Sequence, residues 1–213
     1  MNKRLMVFCK APIAGEVKTR LTRAPAGNTV FTAVEAAHIH QQLAAETLQD
    51  GLALRALMPS ADLQLELWCS PDTRHPFFQQ YEAGGYNLQQ QVGADLGERM
   101  AAGFTGRPGA ALLIGTDCPE INGEYLHAAF KALETTDLVL GPAEDGGYGL
   151  IGLNRAAPTL FEDVPWSSEE VLEVTVRKAE DAGLRVKLLP EIWDVDHPAD
   201  VERWQRSNAA RIN

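Results

Sequence analysis

The chain has 213 residues and a formal net charge of -10, from 29 acidic against 19 basic side chains. Hydrophobic residues make up 45% and charged ones 23%, the balance of a globular protein with one sizeable core. The acidic excess repels nucleic-acid backbones and anionic membrane surfaces, and no apolar run reaches the length of a span, so neither partner is expected.

Cys9, Cys69 and Cys118 are odd in number and show no pairing pattern. With no secretory signal at the N-terminus, they predict a reduced, cytoplasmic protein.

In chain order, Arg4–Cys9 is apolar enough for a buried strand, and Asn28, a suitable N-cap, opens a helical stretch running to about Asp50. Leu63–Cys69 alternates as a strand with one more polar face. Residues 70–109, rich in Gly, Gln and Pro, read as a flap or insertion over the site. Ala110–Gly115 is a short apolar run bounded by glycines, the pattern of a central strand. A helix follows from Asn122 to about Leu133. Strands at Asp137–Gly141 and Gly149–Leu153 flank a Gly-Gly turn, and a further helix opens at Ser168 and ends near Gly183. The last strand is Arg185–Leu189, and a C-terminal helix starts at Pro198 and reaches about Arg206. Strands interleaved with helices predict one α/β domain over residues 1–213, with a mostly parallel sheet covered on both faces.

Chemistry is concentrated where strands end, the place where open α/β sheets bind ligands. The loop after the first strand carries Lys10, Lys18 and Arg20 around Gly15. Singly these would be solvated charges; flanking one Gly/Pro-shaped loop in an acidic chain, they read as a phosphate cradle. Gly15, Lys18 and Thr19 look like part of a Walker A motif, but Glu16 and Val17 intervene and no glycine precedes the lysine. A P-loop NTPase is therefore disfavoured.

Asp117, in Gly115-Thr-Asp-Cys-Pro119, follows the central strand and suits a hard divalent cation, though one carboxylate alone cannot hold it; an Asx turn is the plainer alternative. Partners are available in Asp145-Gly146-Gly147-Tyr148 and in Asp194-Val-Asp196, where extended geometry puts both carboxylates on one face. Turn chemistry before the last helix accounts for Asp194 and Asp196 equally well. Asp95, Glu98 and Arg99 stand in a glycine-spaced turn entering a helix, able to bind base, ribose or phosphate or simply to cap it. Trp166 suits stacking on a ligand or filling a core. His38 and His40, two apart on a helix, are expected at the surface, and His197 in a turn.

In this order, Phe8-Cys-Lys10-Ala-Pro12…Gly15-Glu-Val-Lys18-Thr-Arg20-Leu21, Gln91-Val-Gly93-x-Asp95-Leu-Gly97-Glu98-Arg99-Met100, Gly115-Thr-Asp117-Cys-Pro119, Gly141-Pro-x-x-Asp145-Gly-Gly147-Tyr148 and Pro165-Trp166-Ser167 resemble the uncharacterised bacterial branch of GT-A-fold glycosyltransferase-like proteins. The chain is more distantly similar to phospholactate guanylyltransferase and molybdenum-cofactor nucleotidyltransferases, without their Gly-Gly and Arg-Met-Gly signature. The resemblance covers nearly the whole chain. It implies a Rossmann-like GT-A domain binding a nucleoside triphosphate or nucleotide-sugar with Mg²⁺ or Mn²⁺, and a small-molecule acceptor. In that scheme Lys10, Lys18 and Arg20 hold phosphates, and Asp117, Asp194 and Asp196 hold the metal. The expected function is a metal-dependent glycosyl or nucleotidyl transferase, with a non-catalytic nucleotide-binding regulatory protein as the alternative.

Overall fold

A computed structural model describes residues 2–23, 30–59 and 61–212. Seven strands form one sheet in the order β3-β2-β1-β4-β6-β5-β7. They are β1 (Asn2–Lys10), β2 (Asp62–Ser70), β3 (Asn87–Gln90), β4 (Ala110–Ile114), β5 (Leu138–Pro142), β6 (Tyr148–Leu153) and β7 (Val186–Leu188). β1 pairs in parallel with β2 and β4, β2 with β3, and β5 with β7; β6 alone runs antiparallel, between β4 and β5. The sheet is therefore mostly parallel, as the alternation of strands and helices predicts.

Side-chain alternation along each central strand feeds two cores. Leu5, Val7 and Cys9 of β1, with Leu112 and Ile114 of β4, pack on one face beneath α1 (Ala33–Leu57), α2 (Pro76–Ala83) and α4 (Gly123–Ala132). Met6 and Phe8, with Ala111 and Leu113, pack on the other beneath α3 (Leu96–Phe104) and α5 (Val171–Asp181). A third cluster joins α1 to α6 (Pro198–Ile212) through Ile39, Leu43, Trp193, Val195, Val201 and Trp204.

Several boundaries differ from the sequence reading for physical reasons. Asn28 lies outside the described residues. α1 is instead capped at Thr32, whose side chain accepts from Glu35 N while the Glu35 carboxylate accepts from Thr32 N, a reciprocal capping box. The helix passes through Gly51 because that position is crowded: the Tyr86 hydroxyl, donating to Leu48 O at 2.8 Å, occupies the space a Cβ would take. Residues 70–109, read as a flap or insertion, contain α2, β3 and α3, and β3 extends the sheet beside β2. α6 continues to Ile212.

Glu66 on β2 is fully buried, ion-paired to Arg4 and Arg107, and accepts from Trp68 Nε1 at 2.9 Å. This pins β1 to β2 on the face that α3 covers, with Arg4 reaching the Gly103 carbonyl at 3.2 Å.

Candidate functional site

The strand order fixes where a site can form. From β1 the chain builds outward through β2 and β3, then returns to place β4 on the other side of β1. Beyond the carboxyl ends of β1 and β4 the connections diverge, the position at which open α/β sheets form their ligand crevice. The loop with Lys10, Lys18 and Arg20 leaves β1 there, and Asp117 leaves β4.

The late acidic pair is brought to the same place by backbone bonds. Ile192 N donates to Pro142 O at 2.8 Å, Glu144 N to Ile192 O at 3.0 Å, and Val195 N to Asp117 O at 2.9 Å. The segment before α6 is thereby stitched across the ends of β5 and β4. Arg203 of α6 closes over it, donating twice to Glu144, both at 2.9 Å, and lying 4.1 Å from the Trp193 ring centroid.

Charges then converge. Lys18 Nζ stands 2.8 Å from Asp117 Oδ1 and 3.3 Å from Asp196 Oδ1, and Arg20 reaches Asp196 Oδ2 at 2.6 Å. The Lys18 side chain is only 4% exposed, and its backbone is left-handed, with φ 48°. Burial would favour a neutral Lys18, but the Asp117 and Asp196 carboxylates outweigh it and hold the pKa above its ordinary value. Burial likewise opposes the charge of Asp117, and Lys18, with smaller contributions from His40 and Lys10, carries its pKa below the usual carboxylate range. Asp117 Oδ1 is buried although the side chain as a whole is 45% exposed, so the other oxygen is the one open to the crevice.

Asp194 is the opposite case. Burial first, then the neighbouring Asp196 and Asp145 carboxylates, push its pKa up to about 6. Its folded pKa is thus raised above the unfolded value near 3.9, so ionising it opposes folding, and this contribution to stability is lost as pH rises between those values. Asp194→Asn is expected to raise Tm by about 2 °C at pH 8 without divalent metal, the shift being discounted for the group's partial exposure. The gain should vanish near pH 4 in parallel thermal melts.

Asp194 faces the Asp196 and Asp145 carboxylates with Lys18 only partly offsetting them, and carboxylate oxygens are by their chemistry the donors that Mg²⁺ and Mn²⁺ take. Among the described residues no three His, Cys, Asp or Glu side chains gather closely enough to hold a metal. Asp117 and Asp196 converge instead on the Lys18 ammonium.

The other sequence-predicted residues fall into separate settings. Lys10 is exposed at the end of β1, and Thr19 and Arg20 are exposed on a short 3₁₀ turn, Thr19–Thr22. Gly15 takes φ 86° in open space, a conformation glycine adopts without strain. Asp95 caps α3, accepting from Glu98 N at 2.8 Å; Glu98 accepts from Ala94 N at 2.7 Å, and Arg99 Nε donates to Gly93 O at 3.1 Å. All three bond within their own turn. Trp166 packs in the second core with its indole against α3, where a Cβ on Gly97 would sit 2.7 Å from Nε1. The capping turn and the Trp166 turn therefore support each other.

Asp145 is exposed and accepts from Gly147 N at 2.9 Å. Gly146, at φ 83°, lies against the Glu169 backbone and accepts from Leu172 N at 3.0 Å, seating the β5–β6 turn on α5. The closest approach here is to the protein's own chain. Gly146→Ala adds a clash with that carbonyl to an unfavourable φ and is expected to cost about 2 kcal/mol, measured by urea denaturation. Tyr148 packs in the second core with its hydroxyl buried beside Thr175, which places it inside the fold rather than in the crevice.

His40 corrects the sequence reading. His38 is exposed, but His40 is 5% exposed on the inner face of α1. Its Nε2 lies 2.9 Å from Lys10 O, and its Nδ1 lies 4.0 Å from Asp117 Oδ1. The available signal is its spacing of four from both Ala36 and Ala44, each fully buried.

The mostly parallel, Rossmann-like sheet belongs with the GT-A and nucleotidyltransferase folds. The chain belongs to the family described as "Uncharacterized protein conserved in bacteria (DUF2064)", whose model matches residues 53–168. It is similar, at 30% identity and a TM-score of 0.74 over 92% of this chain and 84% of the other, to a crystal structure from Desulfovibrio desulfuricans G20 described as a candidate nucleotide-diphospho-sugar transferase. Fold alone is shared with CMP:2-keto-3-deoxy-manno-octonic acid synthetase complexed with CTP, at 10% identity and TM-score 0.62 over 99% and 100% of the two chains. The same holds for 4-diphosphocytidyl-2C-methyl-D-erythritol synthase from Anaerococcus prevotii DSM 20548, at 11% identity and TM-score 0.56 over 99% and 97%. No curated protein sequence matches the chain at a significant level. Among the described residues, no helix is long and apolar enough to cross a membrane.

Proposed function

We propose that this protein is a metal-dependent transferase using a nucleotide-activated donor, a nucleotide-diphospho-sugar or a nucleoside triphosphate, with Mg²⁺ or Mn²⁺. The observation that carries this reading is the cluster of Lys18, Arg20, Asp117 and Asp196 at the crevice between β1 and β4. A site for neutral ligands has no need of four paired charges at a switch point. The sugar-nucleotide form draws support from the Desulfovibrio relative, and the triphosphate form from the fold shared with a CTP complex.

In this reading Lys10, Lys18 and Arg20 receive the donor phosphates and stabilise charge developing on the leaving group, as preorganised cations do. Asp117, Asp194 and Asp196 would hold the divalent ion, which when bound neutralises phosphate charge as a Lewis acid. The exposed Lys10, and Arg20, 59% exposed at its side chain though paired with Asp196, are the cations an incoming donor meets first. The acceptor enters over the exposed Asp145 turn. Cys9 and Cys118 are buried near the site, and burial first and Asp117 second push both thiols above their ordinary pKa, so neither is a ready thiolate nucleophile. The reading is direct displacement, without a covalent enzyme intermediate.

The test is a thermal-shift panel of nucleoside triphosphates and nucleotide-sugars, each with Mg²⁺, Mn²⁺ or EDTA. A ligand bound only by the native state raises the apparent melting temperature. A metal-dependent shift with one sugar nucleotide selects glycosyl transfer, and with one triphosphate nucleotidyl transfer. No shift with any donor overturns the transferase reading.

A further inference from the structure

His40 contributes to none of the chemistry assigned above, yet it touches both halves of the site. It is the one buried imidazole among the described residues, and its ring spans the end of β1 and the carboxylate after β4. The Lys10 carbonyl can only accept, so the 2.9 Å contact requires the proton on Nε2. That fixes the tautomer. In the neutral ring, which burial favours, Nδ1 then carries a lone pair at 4.0 Å from Asp117 Oδ1, too far for a hydrogen bond. The charges facing the ring are Asp117, Lys18 and Lys10, and Cys9 Sγ lies 4.0 Å from Nε2.

The two ring edges therefore do different things. Nε2–H holds the residue at which β1 becomes the cationic loop. The Nδ1 edge fills the space behind Asp117 without bonding to it. Because Lys10 starts the loop that carries Lys18 and Arg20, the direction of its carbonyl sets the course of the chain between them.

We propose that His40 is a positioning residue for donor phosphate, acting by donating from Nε2 to the Lys10 carbonyl and so fixing the start of the phosphate loop. The proposal rests on the donor reading above and adds to it a residue that touches no substrate. The Cys9 thiol also donates to Lys10 O, at 3.2 Å, and the share assigned to His40 lies in Nε2 alone, which makes it separable from packing. Glutamine reaches as far as Nε2 and can donate to Lys10 O. Asparagine reaches only the Nδ1 position and cannot. Alanine provides neither.

The probe is inorganic pyrophosphate with Mg²⁺, the part common to both donor classes, titrated calorimetrically into the full chain. His40→Asn and His40→Ala are expected to weaken pyrophosphate binding about tenfold, the worth of one buried hydrogen bond. His40→Gln is expected to stay within about threefold of the parent by the same measure. Melting temperatures of all variants are recorded alongside. Rescue by Gln but not Asn, at comparable melting temperatures, supports the tether. Equal weakening in Gln and Asn, or binding that simply tracks melting temperature, overturns it and leaves His40 as packing. If the parent chain itself fails to bind pyrophosphate, the donor reading falls first and the inference with it.

Discussion

Asp117→Asn is expected to reduce turnover about a thousandfold with whichever donor the thermal-shift panel selects, the upper range for one group that stabilises transition-state charge. Asp117 is the carboxylate with two distinct oxygens: Oδ1 is buried against Lys18, and the other faces the crevice. The amide keeps the volume and the backbone bond from Val195 N to Asp117 O at 2.9 Å, so the loop stays anchored. It removes the anionic donor on the open side. Lys18 retains Asp196 at 3.3 Å, which limits the loss of stability to roughly 1–2 kcal/mol, short of leaving a buried charge with no partner. Turnover of the purified variant, with a thermal melt as control, checks both halves. Undiminished turnover would remove Asp117 from the metal site, whereas loss of a cooperative melt would make its role structural. Asp117, whose Lys18 partner outweighs the burial that opposes its charge, is held below the usual carboxylate range and stays ionised through neutral pH.

How much of this was legible in the sequence depends on whether a residue's meaning is local. The β1 loop and Asp117 follow short apolar runs whose length and flanking glycines and charges read as buried strands, and the carboxyl end of such a strand is a place the fold rules specify. Asp194 and Asp196 carried two readings in sequence, cation pair or turn chemistry, and only the stitch from Ile192 and Val195 explains why they reach the ends of β4 and β5. Asp95, Glu98 and Arg99 carried two readings in sequence, and local bonding within the turn accounts for all three. The burial of Glu66 and of the Tyr148 hydroxyl was not legible, and that of His40 only through its spacing from Ala36 and Ala44. A polar residue in an apolar pattern is ambiguous until its partner is known, and their neighbours lie far along the chain: Lys10 for His40, Thr175 for Tyr148, Arg4 and Arg107 for Glu66. The ammonium lodged between Asp117 and Asp196 was hidden for the same reason.

That lodging gives the second large expectation, for Lys18→Met. In the parent chain Lys18 and Arg20 already serve as counter-ions, and the Lys18 ammonium stands where Asp117 and Asp196 come together. A divalent ion added without donor competes with a tethered cation and should leave Tm nearly unchanged. Donor phosphates give Lys18 another anion to pair with, so metal and donor should bind better together than apart. Methionine keeps the stem and removes the charge, leaving Asp196 paired with Arg20 and Asp117 with only the smaller contributions of His40 and Lys10. Two effects of opposite sign follow. Without metal the variant should lose roughly 2 kcal/mol, because Asp117 Oδ1 is buried and loses its partner. With Mn²⁺ the freed carboxylates should bind the ion, and the melting temperature should rise by several degrees at saturating metal, as ligand linkage requires. Turnover should still fall about a hundredfold, since a cation that stabilises the leaving charge is gone. Melts of the parent and variant across a Mn²⁺ series separate the possibilities. A variant that metal stabilises while the parent stays flat shows that Lys18 occupies a cation site; a variant indifferent to metal shows that these carboxylates exist to hold Lys18 and Arg20 and form no divalent site.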